Sequence, residues 1–277
     1  MDLSILINRK FIFNNFKYTI SIIGIMASLM TIVGISLKEI FPNTSLINRL
    51  LGLFIIYFTL MVIISLFRQV LIFKKGISIK INNNTVYIKQ GDIFKVSGKK
   101  VIPFNEYFDT SVNDVIVAKN SLHGIFLDKY VNDKEEIMKS IAADKYSKFK
   151  RYKKNNRWAY PIGRIIPHNN YLLLSFTQFN DQNEAHLTKS DYENCLKNMW
   201  EEVSRTYSYN PVYLPLLGSG ITRFDDWSKK TNLDLLKCIL YALYLTRVDI
   251  NKPITILLRK EVMVNINIFE LKGVNLL

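Results

Sequence analysis

The chain carries only two cysteines and three histidines in 277 residues, and its 37 basic residues face only 23 acidic ones. The cysteines, Cys195 and Cys238, each lie within a helical pattern, which excludes a disulfide framework and favours a reducing compartment. His123, His168 and His186 lack metal-ligand spacing, so no metal site is expected, and the last two read as structural or surface residues. The shortage of acids leaves a formal net charge of +14, which requires an anionic neighbour: a phosphate-bearing ligand, nucleic acid or the inner leaflet of a membrane. Also missing are a Ser/His/Asp or Cys/His nucleophile arrangement, a Walker loop and paired catalytic carboxylates. No catalytic residue is assigned.

Charge is absent altogether from two long apolar stretches near the N-terminus. Tyr18 to Leu37 is an uncharged run of 20 residues, and Leu50 to Phe67 gives another 18 before Arg68. At 1.5 Å per residue each is long enough to approach or cross a hydrocarbon core of about 30 Å. The first run is too long for a signal peptide and lacks an A-x-A-like cleavage site. The expectation is therefore a transmembrane helical hairpin, residues 1–75, with its turn at Pro42 and Asn43. Arg9, Lys10 and Lys17 precede the first span and Arg68, Lys74 and Lys75 end the second, against Lys38 and Arg49 in the connection. The positive-inside rule then places both termini in the cytoplasm of a plasma (inner) membrane protein with two spans. Gly24, Ala27, Ser28 and Gly34 give the first helix small residues that permit close approach of another helix, from the same chain or from a homo-oligomer partner.

Beyond Gly76 the pattern changes to alternating strands and helices. Ile77–Ile81 and Thr85–Gln90 read as a hairpin around three asparagines, and Lys100–Phe104 and Asp114–Ala118 as buried strands. Helical spacing runs from Lys134 to Lys145, and a basic run from Lys145 to Arg157 follows, interleaved with Tyr146, Phe149, Tyr152 and Trp158. Tyr171–Phe176 is a strand; Ser190 with Glu193 forms a capping box that opens a helix to about Tyr207. Strand Val212–Leu216, a helix Leu233–Thr246 and strand Ile254–Leu258 complete the order. Such alternation implies a layered α/β domain over residues 76–277 with a partly parallel sheet, whose ligands sit at the carboxyl ends of strands.

Three loops follow predicted strands and carry the chemistry. They are Gly91-Asp92-Ile93, then Asn105 with Ser121-Leu-His-Gly-Ile-Phe126 further on, and Pro215-Leu-Leu-Gly-Ser-Gly-Ile-Thr-Arg-Phe224. Glycines at a strand-to-helix turn let backbone N–H groups approach a diphosphate. In this order the three loops resemble those of the macro domain, an ADP-ribose-binding module. The resemblance covers about residues 77–260 and implies a three-layer α/β/α fold with a mixed sheet. It implies that Asp92 pairs with the adenine amino group and Asn105 faces the distal ribose, and that the loop from Pro215 through Gly218, Ser219, Gly220 and Ile221 wraps the diphosphate. The full set of ligand contacts it implies is Asp92, Ile93, Asn105, Ser121, His123, Gly124, Ile125, Phe126, Leu217, Gly218, Ser219, Gly220, Ile221, Thr222, Arg223 and Phe224.

The chain departs from the family pattern in three places. The SLHG segment comes late, after the insertion NEYFDTSVNDVIVAKN; Thr222 stands where an aromatic is usual; and Arg223 replaces a small residue. The constellation that hydrolytic macro domains need around the distal ribose is not found, which points to a reader and not an enzyme. A two-span anchor fused to such a domain is similar to the membrane effectors of type II Thoeris, a bacterial anti-phage system. That resemblance implies a TIR-domain partner that consumes NAD, an ADP-ribose-type signal as ligand with no prosthetic group, and membrane damage ending in abortive infection. Two alternatives stand beside it: a membrane-tethered ADP-ribosyl hydrolase using Asn105 or Asp109, and a basic membrane-anchored adaptor for lipid or, less favoured, nucleic acid.

Overall fold

A computed structural model describes residues 9–34, 36–114, 116–144, 151–154, 156–180, 182, 184–266 and 271. The basic residues Lys145, Lys148 and Lys150 lie outside the described residues. The chain divides into two compact units, with one boundary between Gly76 and Ile77 and with Leu271 belonging to the first unit.

The first unit is helical: α1 (Arg9–Val33), a short α2 (Leu37–Ile40) and α3 (Leu46–Lys75). α1 and α3 pack against each other, with Phe16 edge-on to Tyr57 at 5.7 Å between ring centroids. Ser28 and Thr31 donate their hydroxyl protons to the carbonyls of Gly24 and Ala27, one turn back, so these polar groups are satisfied within the helix. Outside the contact the surface is apolar: Ile25, Leu29, Ile32, Leu50, Phe54, Ile55 and Ile63 are exposed. One segment among the described residues, Leu46–Ile64, is long and apolar enough to cross a membrane. The expected first span, Tyr18–Leu37, is shortened. Gly34 takes φ +80° and ends α1, leaving Thr19–Val33 as a shorter apolar helix.

The second unit is built on one mixed sheet. β1 (Ile77–Ile81) and β2 (Asn84–Gln90) form the expected antiparallel hairpin, closed by Asn82 at φ +50°. β3 (Lys99–Asn105) is followed by α4 (Leu122–Lys129) and α5 (Lys134–Ala142). A separate small hairpin, β4 (Tyr152–Lys154) with β5 (Arg157–Ala159), leads to β6 (Ile165–His168), β7 (Tyr171–Phe179) and β8 (Ala185–Leu187). Then come α6 (Lys189–Thr206), β9 (Val212–Pro215), β10 (Arg223–Phe224), α7 (Asn232–Thr246), β11 (Ile254–Leu258) and α8 (Lys260–Asn265). The strand order is β1-β2-β11-β9-β3-β7-β8-β10, with β6 also paired to β7. β2, β11, β9, β3 and β7 run parallel, so their carboxyl ends share one rim.

Both faces of this sheet are covered. On one, Ile102, Phe104, Ile166, Leu173 and Leu257 pack under Phe126 and Leu127 of α4 and Ile137 of α5. On the other, α6 and α7 pack on each other through buried Leu196, Met199, Trp200, Leu236 and Ile239, and Trp200 donates its indole N–H to the Ile239 carbonyl at 3.0 Å. Truncating Trp200 to Ala would cost about 3–5 kcal/mol. The layered α/β fold with a mixed sheet is as expected, whereas two local expectations are corrected. Asp114–Ala118 is not a strand: Asn113 and Asp114 accept from the backbone of Ile116 and Lys119 at 2.8 Å, and only an isolated bridge joins Val112 to Val117. The cap of α6 is Thr188 with Asp191, not Ser190 with Glu193; the reciprocal capping box is at Thr231 and Asp234 of α7.

Candidate functional site

A cleft of about 780 Å³ opens at the carboxyl rim of the parallel strands. Four strand ends supply its floor and sides: Gly91 and Asp92 after β2, Asn105 at the end of β3, the Pro215–Thr222 loop after β9, and Leu257 with Arg259 at the end of β11. Its volume falls in the range of ligand pockets, and the strand-end position is where open α/β sheets bind ligands.

Each loop is shaped by local hydrogen bonds. Asp92 is exposed and caps the 3₁₀ turn Ile93–Lys95, its Oδ1 accepting from the Phe94 N–H at 2.9 Å. Ser121 caps α4 and accepts from Gly124 N–H at 2.9 Å, while its own hydroxyl donates to the Ala118 carbonyl at 2.6 Å. The amino end of α4 thus opens on the cleft with its first-turn donors and the positive end of its dipole. In the third loop Gly218 adopts φ +80°, a conformation that favours glycine, and Ser219 bonds back to the Leu216 carbonyl. A Cβ added at Gly220 would meet nothing within 4 Å.

The cleft brings together Asp92, Ile93, Asn105, Ser121, His123, Ile125, Leu217, Gly218, Ser219, Gly220, Ile221 and Thr222. It does not include Gly124, Phe126, Arg223 or Phe224. Gly124 packs tightly on the Ala118 carbonyl, and Phe126 is core. Arg223 forms an ion pair with Glu184, and Phe224 packs on Tyr192 and Trp227. Residues that the sequence reading did not single out also line it: the stacked pair Phe94 and Tyr130 (centroids 4.1 Å apart), Phe176, and the two cations Lys129 and Arg259. Arg259 lies beside the glycine loop, its guanidinium 3.4 Å from the Ser219 carbonyl.

Asn105 and His123 need separate description. The Asn105 carboxamide is engaged locally, accepting from the N–H groups of Tyr107 (3.2 Å) and Asp109 (3.1 Å) and donating to the Asp109 carboxylate (2.9 Å). Asp109 also pairs with Arg157. The next residue, Glu106, is fully buried and accepts from Tyr152 Oη (2.7 Å), Lys154 Nζ (2.8 Å) and Phe179 N–H (3.0 Å). His123 is buried against the Phe104 ring at 3.7 Å between centroids, and its Nε2 has no hydrogen-bond partner. Burial pulls its pKa down to about 3, against a smaller upward pull from the Asp109 backbone, so the ring is neutral at physiological pH. Burial pushes the Cys195 thiol up, which leaves it unreactive. No group of metal-ligating side chains occurs among the described residues.

Against known families, residues 86–259 match the model described as "Thoeris protein ThsA, Macro domain". The chain belongs to this family. The curated Thoeris protein ThsA of Bacillus amyloliquefaciens (strain Y2) is 35% identical over 215 residues, which span 73% of this chain and 71% of that protein. Among solved structures, a macrodomain variant from Oceanobacillus iheyensis with ADPR matches at TM-score 0.46 and 15% identity. It covers 71% of this chain and 96% of that one. A second variant of that macrodomain matches at TM-score 0.44 and 15% identity, over 71% and 91%. The macro-domain and Thoeris resemblance read from the loops is thereby borne out.

Proposed function

We propose that this chain is a membrane effector of Thoeris anti-phage defence whose cleft senses an ADP-ribose-derived signal released by a TIR-domain partner. The observation that carries the reading is the convergence of three elements on one cleft: the Asp92 turn, the amino end of α4 and the Gly218–Gly220 loop. Asp92 offers a carboxylate to a donor such as an adenine amino group. Exposed backbone donors and Arg259 suit a diphosphate, and the apolar walls with the Phe94–Tyr130 stack suit the flat parts of a nucleotide.

In this reading α1 and α3 form a two-span hairpin with both termini in the cytoplasm, and the loaded domains cluster so that the helices disrupt the bilayer. A ligand drives that change only by binding the clustered form more tightly than the resting one. The chain acts as a reader and not a hydrolase, because Asn105 and Asp109 are held by each other and by Arg157. Calorimetry on the full chain with ADP-ribose and its conjugates tests this. Asp92→Ala is expected to weaken binding by roughly 1–3 kcal/mol, the range for a lost hydrogen bond to a charged group, and Asp92→Asn less because it keeps the cap. Unchanged affinity in a folded Asp92→Ala protein, or turnover of ADP-ribosylated protein by the wild type, overturns the reading.

A further inference from the structure

The β4–β5 hairpin has no part in the cleft, and it is fastened to the protein through Tyr152, Lys154 and Arg157. Its register sets Tyr152 opposite Ala159, Lys153 opposite Trp158, and Lys154 opposite Arg157. Residues directly opposite share a face, and faces alternate along each strand. Tyr152, Lys154 and Arg157 therefore share the inner face, and they bind Glu106 and Asp109. The outer face carries Lys153 and Trp158, with Arg151 just before β4, its guanidinium bridging the rings of Trp158 and Tyr160.

Trp158 is 55% exposed and lies between two cations, Arg151 at 5.8 Å and Lys153 at 5.6 Å from its ring. A large indole held out to solvent costs apolar hydration, and three inner-face bonds hold the hairpin in the orientation that keeps it there. No acidic residue lies between Lys145 and Arg157. An indole flanked by cations is the chemistry of a bilayer interface, where the ring sits at headgroup level and each basic residue gains from anionic lipid.

Topology puts the hairpin at the carboxyl rim of the sheet. β1 is antiparallel to β2, with Ile77 paired to Ile88, so β1 begins at the carboxyl rim of the sheet. Glu106 and Phe179, which hold the hairpin, lie at the carboxyl ends of β3 and β7, on the same rim. Five strand spacings separate β1 from β7, roughly 25 Å. We infer that the outer face of the β4–β5 hairpin is a second membrane contact, in which Trp158, Arg151 and Lys153 dock on anionic lipid headgroups.

The inference rests on the chain being inserted in a bilayer, and the test separates the two. The full chain is reconstituted in nanodiscs of phosphatidylcholine with or without phosphatidylglycerol, each carrying a headgroup nitroxide lipid that quenches nearby tryptophan. Quenching is expected in the anionic discs, to be absent in Trp158→Phe, and to weaken in high salt. Neutralising Arg151 or Lys153 to Gln should each lower the docked-to-undocked ratio about fivefold, corresponding to about 1 kcal/mol per basic residue. Far-UV circular dichroism and a thermal melt check that each variant is folded. Failure of the chain to incorporate into discs overturns the membrane reading itself. Incorporation without Trp158-dependent quenching overturns the hairpin contact alone, and a Trp158 response to an oligonucleotide in its place assigns the face to nucleic acid.

Discussion

His123 shows how a single residue ties the site to the fold. Its ring lies on Phe104 in the core and its backbone lines the amino end of α4, so the cleft wall and the core share one residue. Its folded pKa of about 3 lies below the ordinary 6.5. Between those values the unfolded chain takes up a proton that the folded chain refuses. The stability from the neutral ring is therefore fully present above pH 6.5 and falls as the pH drops, by about 1.4 kcal/mol per pH unit. Urea unfolding of residues 76–277 at pH 7 and pH 5 checks this, and His123→Phe should flatten the slope; a slope that persists in the variant assigns it to other groups. At this scale Asp92 and the glycine loop were legible, because a turn residue and its partners are neighbours in sequence. Arg259, Lys129 and the Phe94–Tyr130 stack were not, since only tertiary packing brings them to the cleft.

Among the elements, the loop after β9 separates folding from binding. Gly218 needs its positive φ, so Gly218→Ala should cost roughly 1–2 kcal/mol of stability through left-handed strain. Gly220 has open space above it, so Gly220→Val should melt like the wild type yet fill the cleft. A thermal melt beside calorimetry distinguishes them: loss of stability in the Gly220 variant, or full affinity, overturns the assignment of that loop to the ligand. Strands β1, β2, β3, β9 and β11 were readable from alternation or from short apolar runs. The segment after Asn113 was misread, because Asn113 and Asp114 bond to local backbone and turn the chain where Val and Ile would otherwise extend it. The α6 cap was misplaced by two residues because Thr188 and Asp191 offer the same spacing as Ser190 and Glu193.

For the whole molecule, the apolar excess of the sequence ends close to Gly76, where one boundary between the compact units falls, while the length of the first apolar helix was not legible, since it turns on one glycine's backbone angle. The membrane reading makes a joint prediction for the two units. A reporter after Leu277 should be cytoplasmic and one within Lys38–Arg49 outside, and deleting residues 1–73 should abolish toxicity while sparing ligand affinity. Equal toxicity from the truncated protein would make the helices a mere tether.

The strand order also dictates when the sensor comes into being during synthesis. The β1–β2 hairpin, made directly after the helices, is joined to the rest of the sheet only through β11. Among the described strands β11 is the last to leave the ribosome, and it packs Leu257 against Gly91 and brings Arg259 to the cleft. Until then the helices exist but the β1–β2 hairpin with its Asp92 turn is not joined to the rest of the sheet. A nascent or prematurely terminated chain lacking Ile254–Leu258 therefore carries the apolar helices without a complete cleft, and under the proposed function it stays unresponsive to the signal until β11 has been made.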